Sequence, residues 1–179
     1  MSYIVSVEGE IPAESLGTAL SHEHLYCDIS PHSGNPDNLV KDIDGVVNEL
    51  SHFSSAGGDS ILEMTTPEIG RSPDALFEIS RRTGVHIISG IALYDRKNYP
   101  NWVTLASEIE LASIFIKELD EGTNGIRAGF IGELASRNEP DANAENYKLK
   151  DDEKQVFRGA AAAQQQTGAA IYTHASIGR

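Results

Sequence analysis

Leu20-Ser21-His22-Glu23-His24-Leu25-Tyr26 places two histidines two positions apart in a segment that alternates like a β-strand. Side chains at positions i and i+2 lie on one face of a strand, so both imidazoles are predicted to point the same way, about 6 to 7 Å apart along the chain. Two imidazole nitrogens at that spacing suit one zinc-like cation. Alone, the pair fits two polar residues near an ordinary strand end equally well, so the rest of the chain has to separate these interpretations.

Around this stretch, strand-like segments alternate with helix-like segments. Hydrophobic periodicity predicts strands at 18–26, 60–66, 85–93, 126–134 and 169–175. Apolar stripes, capping residues and closing glycines predict helices at 40–56, 72–84, from 105 to about 122, and 151–168. Strands separated by helices favour right-handed crossovers and a parallel sheet. The chain is therefore predicted to be α/β, either an open doubly wound sheet or a (β/α)8 TIM barrel.

Two observations favour the barrel. No Gly-x-Gly-x-x-Gly follows a predicted strand, so the dinucleotide-binding form of the open sheet lacks its fingerprint. Polar residues lie late in the predicted strands, where barrel active sites are built; they are His22, His24, Thr65, Thr66, Tyr94, Glu133 and His174. Five predicted units are too few for an eight-stranded barrel, which takes roughly 200 residues or more. We therefore expect a truncated barrel that holds the first five β/α units.

Glu133 and His174 lie at the ends of the fourth and fifth predicted strands. A carboxylate that ends an apolar strand needs a partner or a metal, because an unpaired buried charge is costly. Taken singly, each residue also fits a polar side chain that faces water at a barrel mouth. Together with His22 and His24, they supply three imidazoles and one carboxylate from three strands, which is a set suited to a catalytic zinc site.

Four segments of the chain resemble, in order, strand segments of one enzyme family. They are Gly17-Thr18-Ala19-Leu20-Ser21-His22-Glu23-His24-Leu25, Glu63-Met64-Thr65-Thr66 with Ile69-Gly70-Arg71, Arg127-Ala128-Gly129-Phe130-Ile131-Gly132-Glu133, and Thr167-Gly168 through Thr173-His174. They are similar to the first, second, fourth and fifth strand segments of the phosphotriesterase family, in the amidohydrolase superfamily. The resemblance implies a (β/α)8 barrel with two divalent ions, expected to be zinc, and a bridging hydroxide. It implies that His22 and His24 hold one ion, that Glu133 bridges both, and that His174 helps to hold the second.

The chain departs from the family pattern in two ways. Members that cleave organophosphate triesters or acyl-homoserine lactones carry a carboxylated lysine at the bridging position, whereas Glu133 resembles the branch called phosphotriesterase homology proteins. This difference argues against triesterase activity. The family also has a histidine on the sixth strand and, on the eighth, an aspartate that binds metal and moves the proton. Both positions would lie beyond residue 179, so the resemblance implies no proton-transferring residue within this sequence.

Several other polar residues receive weaker assignments. Tyr94 shares a predicted strand face with Gly90 and Ala92, so it is the candidate substrate-binding residue. The remaining histidines are interpreted as ordinary surface or core residues; they are His32, His52 and His86. A helix cap or a salt bridge explains Arg71 as well as a substrate contact does.

Composition limits the compartment and the partners. The formal net charge of −13 would repel phosphate backbones and anionic lipid, so neither nucleic acid nor a membrane surface is an expected partner. No apolar run reaches the length of a membrane span, and the first residues lack the pattern of a signal peptide. A single cysteine, Cys27, fits a reducing cytoplasm and is interpreted as a packing residue.

Two functional hypotheses follow. In the first, residues 1–179 are the N-terminal part of a single barrel domain, and the complete protein is a metal-dependent hydrolase of a small ester, lactone or phosphoester. In the second, the chain is a non-catalytic barrel fragment that binds metal weakly or not at all. Such a fragment would associate through its open sheet edges with a second copy or a complementing chain.

Overall fold

The computed structural model describes residues 2–136 and 148–175. Within them, the secondary-structure elements in chain order are β1 (Tyr3–Ser6), β2 (Gly9–Pro12), β3 (Ala19–Glu23), β4 (Cys27–Asp28), α1 (Ser30–Ser33), β5 (Leu39–Val40), α2 (Ile43–Ser55), β6 (Ser60–Glu63), α3 (Pro73–Thr83), β7 (His86–Ile91), α4 (Glu108–Asp120), β8 (Phe130–Ser136), α5 (Asp151–Thr167) and β9 (Ile171–Ala175). No described helix combines the length and the apolar composition that a bilayer crossing requires.

Five strands form the central parallel sheet in the order β3-β6-β7-β8-β9. Strands that are neighbours in the sheet also follow one another along the chain, as in successive β/α units of a barrel. The sheet is curled into a half-barrel. The carboxyl ends of all five strands therefore lie along one rim, and this rim carries the candidate site. The predicted α/β barrel-type fold is confirmed for these five units.

Helices α2 to α5 cover the outer face of the sheet, because each presents an apolar stripe to it. On one side Leu50, Leu76 and Ile79 pack with strand residues in a buried cluster. On the other side α4 and α5 pack together and onto β8. Gly159 permits this close approach, since a Cβ placed there would lie 2.7 Å from the Cβ of Leu111.

A hairpin of β1 and β2, which no sequence pattern predicts, packs near the amino-terminal ends of β7 and β8. The amide of Val7 donates to the carbonyl of Ile87 at 2.9 Å. A Cβ at Gly129 would meet the carbonyl oxygen of Val5 at 2.4 Å, so this position requires glycine. The hairpin lies at the opposite end of the strands from the candidate site.

The observed strands and helices differ from the predicted ones mainly in the residues at which they begin and end. The first strand was predicted to reach residue 26 but ends at Glu23, and the chain then pairs Cys27–Asp28 with Leu39–Val40. Val40 therefore belongs to a short strand, and α2 begins at Ile43 behind the Asp42 cap. Cys27 is a buried free thiol, in agreement with its interpretation as a packing residue.

Candidate metal centre

Glu133 lies at the centre of the candidate site. It sits within β8, every residue of which is buried, and its own side chain is 1% exposed. The Nε2 atom of His22 lies 3.5 Å from Glu133 Oε1, and the Nε2 atom of His24 lies 3.8 Å from Oε2. The Nδ1 atom of His174 contacts Glu133 Oε1. The structure thus brings together the four residues that the sequence analysis proposed as ligands, and their role as ligands stays a prediction.

Curling of the sheet is what makes this convergence possible. His22 lies on β3 and His174 on β9, which are the two outermost strands of the five. Four strand spacings in a flat sheet would separate these strands by roughly 19 Å. The ring centroids of His22 and His174 are instead 5.8 Å apart. The site is therefore a product of the whole sheet rather than of the His-x-His segment alone.

His24 lies one residue beyond the end of β3, and its orientation is fixed from the neighbouring strand segment. Its Nδ1 atom lies 3.0 Å from the hydroxyl oxygen of Thr65, while Nε2 faces Glu133. Burial, and to a smaller extent the nearby His22 and His174 rings, lower the pKa of His24 to about 4. A neutral imidazole at neutral pH keeps a lone pair available, which metal binding requires.

The burial and the hydrogen bonding of Glu133 suit a bound cation. Burial raises the pKa of its carboxyl group, while His174 and His22 act in the opposite direction. Its Oε1 atom is buried and accepts no hydrogen bond of ordinary geometry from the described residues. One ligand atom from each of His22, Glu133 and His174 can be chosen so that all lie within 4.8 Å of one another. Imidazole and carboxylate donors of this kind fit a zinc-like divalent ion.

A cavity of about 230 Å³ adjoins this cluster. Its wall includes both His24 and Glu133, together with Ile29, His32, Ser33, Ile69, Tyr94, Asp95 and Asn98. The Tyr94 ring packs edge-on against the ring of His174, with centroids 5.5 Å apart. Tyr94 therefore lies where a substrate-binding residue was predicted to lie, and its role stays a prediction.

His32, which the sequence predicts to be an ordinary surface or core residue, is exposed and also lines the cavity. It lies on α1, which follows the first sheet strand and brings the imidazole to the cavity wall. The sequence offered no periodic pattern from which this position could be inferred. His52 is exposed on α2, and His86 begins β7 at the end of the sheet away from the rim.

Arg71 serves the fold and not the cavity. Its side chain is 5% exposed, and its Nη1 atom binds Glu118 Oε2 at 2.9 Å. Its Nε atom donates to the carbonyl of Gly90 at 2.8 Å. Of the three explanations that the sequence leaves open, a helix cap, a salt bridge and a substrate contact, the salt bridge is the one observed.

The curled parallel sheet and the His–Glu–His cluster at its rim define an α/β half-barrel with a candidate metal centre. The profile of the Phosphotriesterase family matches residues 3–179. The chain belongs to this family.

Relatives with known names agree with that assignment. The chain is 30% identical over 163 residues to the phosphotriesterase homology protein of Escherichia coli (strain K12), covering 90% of this chain and 53% of that protein. It is 29% identical over 203 residues to the N-acetyltaurine hydrolase of Xenopus tropicalis, covering 96% of this chain and 56% of the relative. The chain thus spans about half the length of these curated relatives.

A solved structure confirms the similarity in three dimensions. The crystal structure of the Escherichia coli phosphotriesterase homology protein, complexed with phosphate in its active site, superposes with a TM-score of 0.82 at 29% identity. The match covers 90% of this chain and 54% of that chain. The five-stranded sheet therefore corresponds to part of a larger phosphotriesterase-like structure.

Proposed function

We propose that the complete protein is a metal-dependent hydrolase that acts on a small ester, lactone or phosphoester. In this proposal residues 1–179 form the N-terminal part of its single barrel domain. The observation that carries the proposal is the convergence of three imidazoles on the buried carboxylate of Glu133. Family membership and the hydrolase name of the Xenopus relative support it.

Two divalent ions, preferably zinc, suit the imidazole and carboxylate ligands of this site. His22 and His24 would hold one ion, His174 would help to hold the other, and Glu133 would be a ligand shared by both. Bound there, such ions lower the pKa of a coordinated water toward neutrality and polarise the scissile bond. The protein's own contribution is to keep the His24 imidazole neutral through burial and to exclude solvent from Glu133.

The cavity beside the ligands would receive the substrate. Its volume of about 230 Å³ suits a small molecule. Apolar contacts come from Ile29 and Ile69, and polar groups from His32 and Asn98. Tyr94, between the cavity and His174, would contact the part of the substrate nearest the ligands.

A hydrolase assay with a matched histidine control tests the proposal. The purified protein is stripped with a chelator, reloaded with zinc, and assayed on small carboxyl esters, lactones and phosphomonoesters. N-acetyltaurine is included because the Xenopus relative is named for its hydrolysis. We expect turnover of at least one class only after reloading. His22→Ala should reduce it by at least roughly 10- to 100-fold, since losing a ligand costs no less than losing a residue that only orients one.

The control is His52→Ala, which removes an exposed imidazole from α2. It should retain the wild-type rate. Turnover that survives chelation, or equal rates in the two variants, would contradict a metal-dependent hydrolase.

The edges of the sheet support the second candidate function, association with a second copy or a complementing chain. Within the described residues, β3 and β9 each pair on one side only. Leu20 on β3 is 40% exposed and Ile171 on β9 is 38% exposed. Unpaired edges with apolar side chains recruit further strands. Sedimentation velocity of the zinc-loaded and metal-free protein separates a monomeric enzyme from an associating fragment.

The remaining proposals concern compartment and partners. We propose a cytoplasmic protein, because the single cysteine, Cys27, is buried and free. The net charge of −13 favours a small-molecule substrate over nucleic acid or a membrane surface as the binding partner.

A further inference from the structure

Glu63 is a fully buried carboxylate that lies behind the candidate metal centre. It ends β6 and has no exposed surface. Three donors reach it: the amide of Leu25 at 3.2 Å, the amide of Thr65 at 3.2 Å and the hydroxyl of Thr65 at 2.5 Å. A carboxylate so buried is costly unless its acceptors are filled, and here both oxygens receive hydrogen bonds.

These hydrogen bonds determine which way the Thr65 hydroxyl points. A hydroxyl has one hydrogen to donate, and that hydrogen goes to Oε1 of Glu63. The Thr65 oxygen can then only accept toward His24, whose Nδ1 atom lies 3.0 Å away. Above about pH 7, where Glu63 is ionised and can only accept, His24 therefore carries its proton on Nδ1. Its Nε2 atom keeps a lone pair directed toward Glu133, at 3.8 Å from Oε2.

We propose that Glu63 and Thr65 form a hydrogen-bonded chain that holds His24 in the Nδ1–H tautomer, with Nε2 presented to the metal. The inference rests on the proposed function, because the tautomer matters most if His24 binds an ion. Both residues act through His24 and not on the substrate, so they are positioning residues. A carboxylate on the side of a histidine ligand away from the metal also makes the imidazole more basic, and therefore a stronger metal ligand.

The simplest competing explanation is that Glu63 only joins neighbouring backbone segments. Its bonds to the amides of Leu25 and Thr65 would persist without the Thr65 hydroxyl. The two explanations therefore differ at one atom, the Thr65 Oγ1. Removing that atom should change the tautomer of His24 if the hydrogen bonds from Glu63 through Thr65 position it. If Glu63 only joins backbone segments, the removal should change only the stability of the fold.

The experiment compares Thr65→Val, which keeps the shape and removes the hydroxyl, with Thr65→Ser, which keeps the hydroxyl. Thr66→Val is the matched control, since it removes the adjacent buried hydroxyl, which makes no hydrogen bond to His24 or Glu63 in the described structure. Nitrogen-15 NMR of the imidazoles in the metal-free protein at pH 8, where Glu63 is ionised, reports the His24 tautomer. Zinc titration by calorimetry then reports affinity.

We expect the Nδ1–H tautomer in the wild type, in Thr65→Ser and in Thr66→Val, with tautomer mixing in Thr65→Val. Zinc should bind Thr65→Val roughly 10- to 100-fold more weakly than the wild type. Finding the Nε2–H tautomer in the wild type would overturn the inference even if Thr65→Val failed to fold. So would an unchanged tautomer and affinity in Thr65→Val.

The failure of the proposed function would look different. A wild type with the Nδ1–H tautomer that binds no zinc would overturn the metal centre, while supporting the positioning of His24 by Glu63 and Thr65.

Discussion

At the scale of single residues, the site is an arrangement of buried groups whose charges are set by their surroundings. Burial lowers the pKa of His24 and raises the pKa of Glu133. Both shifts disfavour the charged form, as desolvation does in general. In the metal-free protein the ionised carboxylate of Glu133 therefore carries a desolvation cost. A divalent cation would reverse the cost for Glu133, because it favours the carboxylate.

Glu63 gives a prediction at this scale. Burial raises the pKa of its carboxyl group to about 7, although three donors and the Arg71 guanidinium oppose the shift. The folded state therefore holds a proton that the unfolded chain releases near its ordinary pKa of 4.5. By linkage, this group's contribution to the free energy of unfolding is largest below about pH 4.5 and is lost as the pH rises to about 7. The change amounts to about 3 kcal/mol.

Urea unfolding of the wild type and of Glu63→Gln at pH 5, 6, 7 and 8 tests this prediction. Relative to Glu63→Gln, the wild type should lose up to about 3 kcal/mol of unfolding free energy between pH 5 and pH 8, because only the wild type loses the protonated carboxyl group. Glu49→Gln, on the exposed face of α2, should show no such pH dependence. A difference that stays constant over this range would contradict the account of Glu63.

At the scale of elements, the contact between α4 and α5 depends on a missing side chain. Gly159 is buried, and a Cβ there would lie 2.7 Å from Leu111 Cβ and 3.2 Å from the Glu108 carbonyl oxygen. Gly159→Ala should gain about 1 kcal/mol of helix propensity but lose about 1 to 3 kcal/mol through overpacking. We therefore expect a net fall in the free energy of unfolding, measured with urea.

Ala162→Leu is the control for that substitution. It adds a larger side chain to an exposed position on the same helix, and it should change the free energy of unfolding by less than about 0.5 kcal/mol. If Gly159→Ala were more stable than the wild type, the described helix contact would be wrong.

The elements that could be predicted from the sequence are those with strong periodicity. The five sheet strands and the four long helices were all anticipated, because each buries one face or both against a neighbour. The hairpin of β1 and β2 was missed. Its strands are four residues each, and they are held by contacts with residues far along the chain, such as Val7 with Ile87. Local sequence carries no sign of such a pairing.

The site was predictable to a similar degree, and for a related reason. His22, Glu133 and His174 could be placed together because strand order fixes which residues reach the rim of a parallel sheet. His32 could not, since a loop and the four-residue helix α1 decide its position. The contact between Thr65 and His24 depends on how the chain turns after β3 and β6 end, which strand periodicity does not determine.

Across the whole protein, the candidate centre joins the two edge strands of the sheet. His22 comes from β3 and His174 from β9, so an ion bound by both would link the first and last sheet strands. Metal binding and the curl of the sheet should therefore stabilise each other. In the proposed function, His22, His24, Glu133 and His174 form such a centre.

Zinc stoichiometry is the direct test of this metal centre. The purified protein is loaded with zinc, dialysed free of weakly held ions and measured by elemental analysis beside Glu133→Gln and the exposed control His52→Ala. We predict roughly one to two ions per chain in the wild type and in His52→Ala, with most of the zinc lost in Glu133→Gln because the shared carboxylate is gone. A wild type that retains no zinc, or a Glu133→Gln variant that retains as much, would contradict the proposed centre.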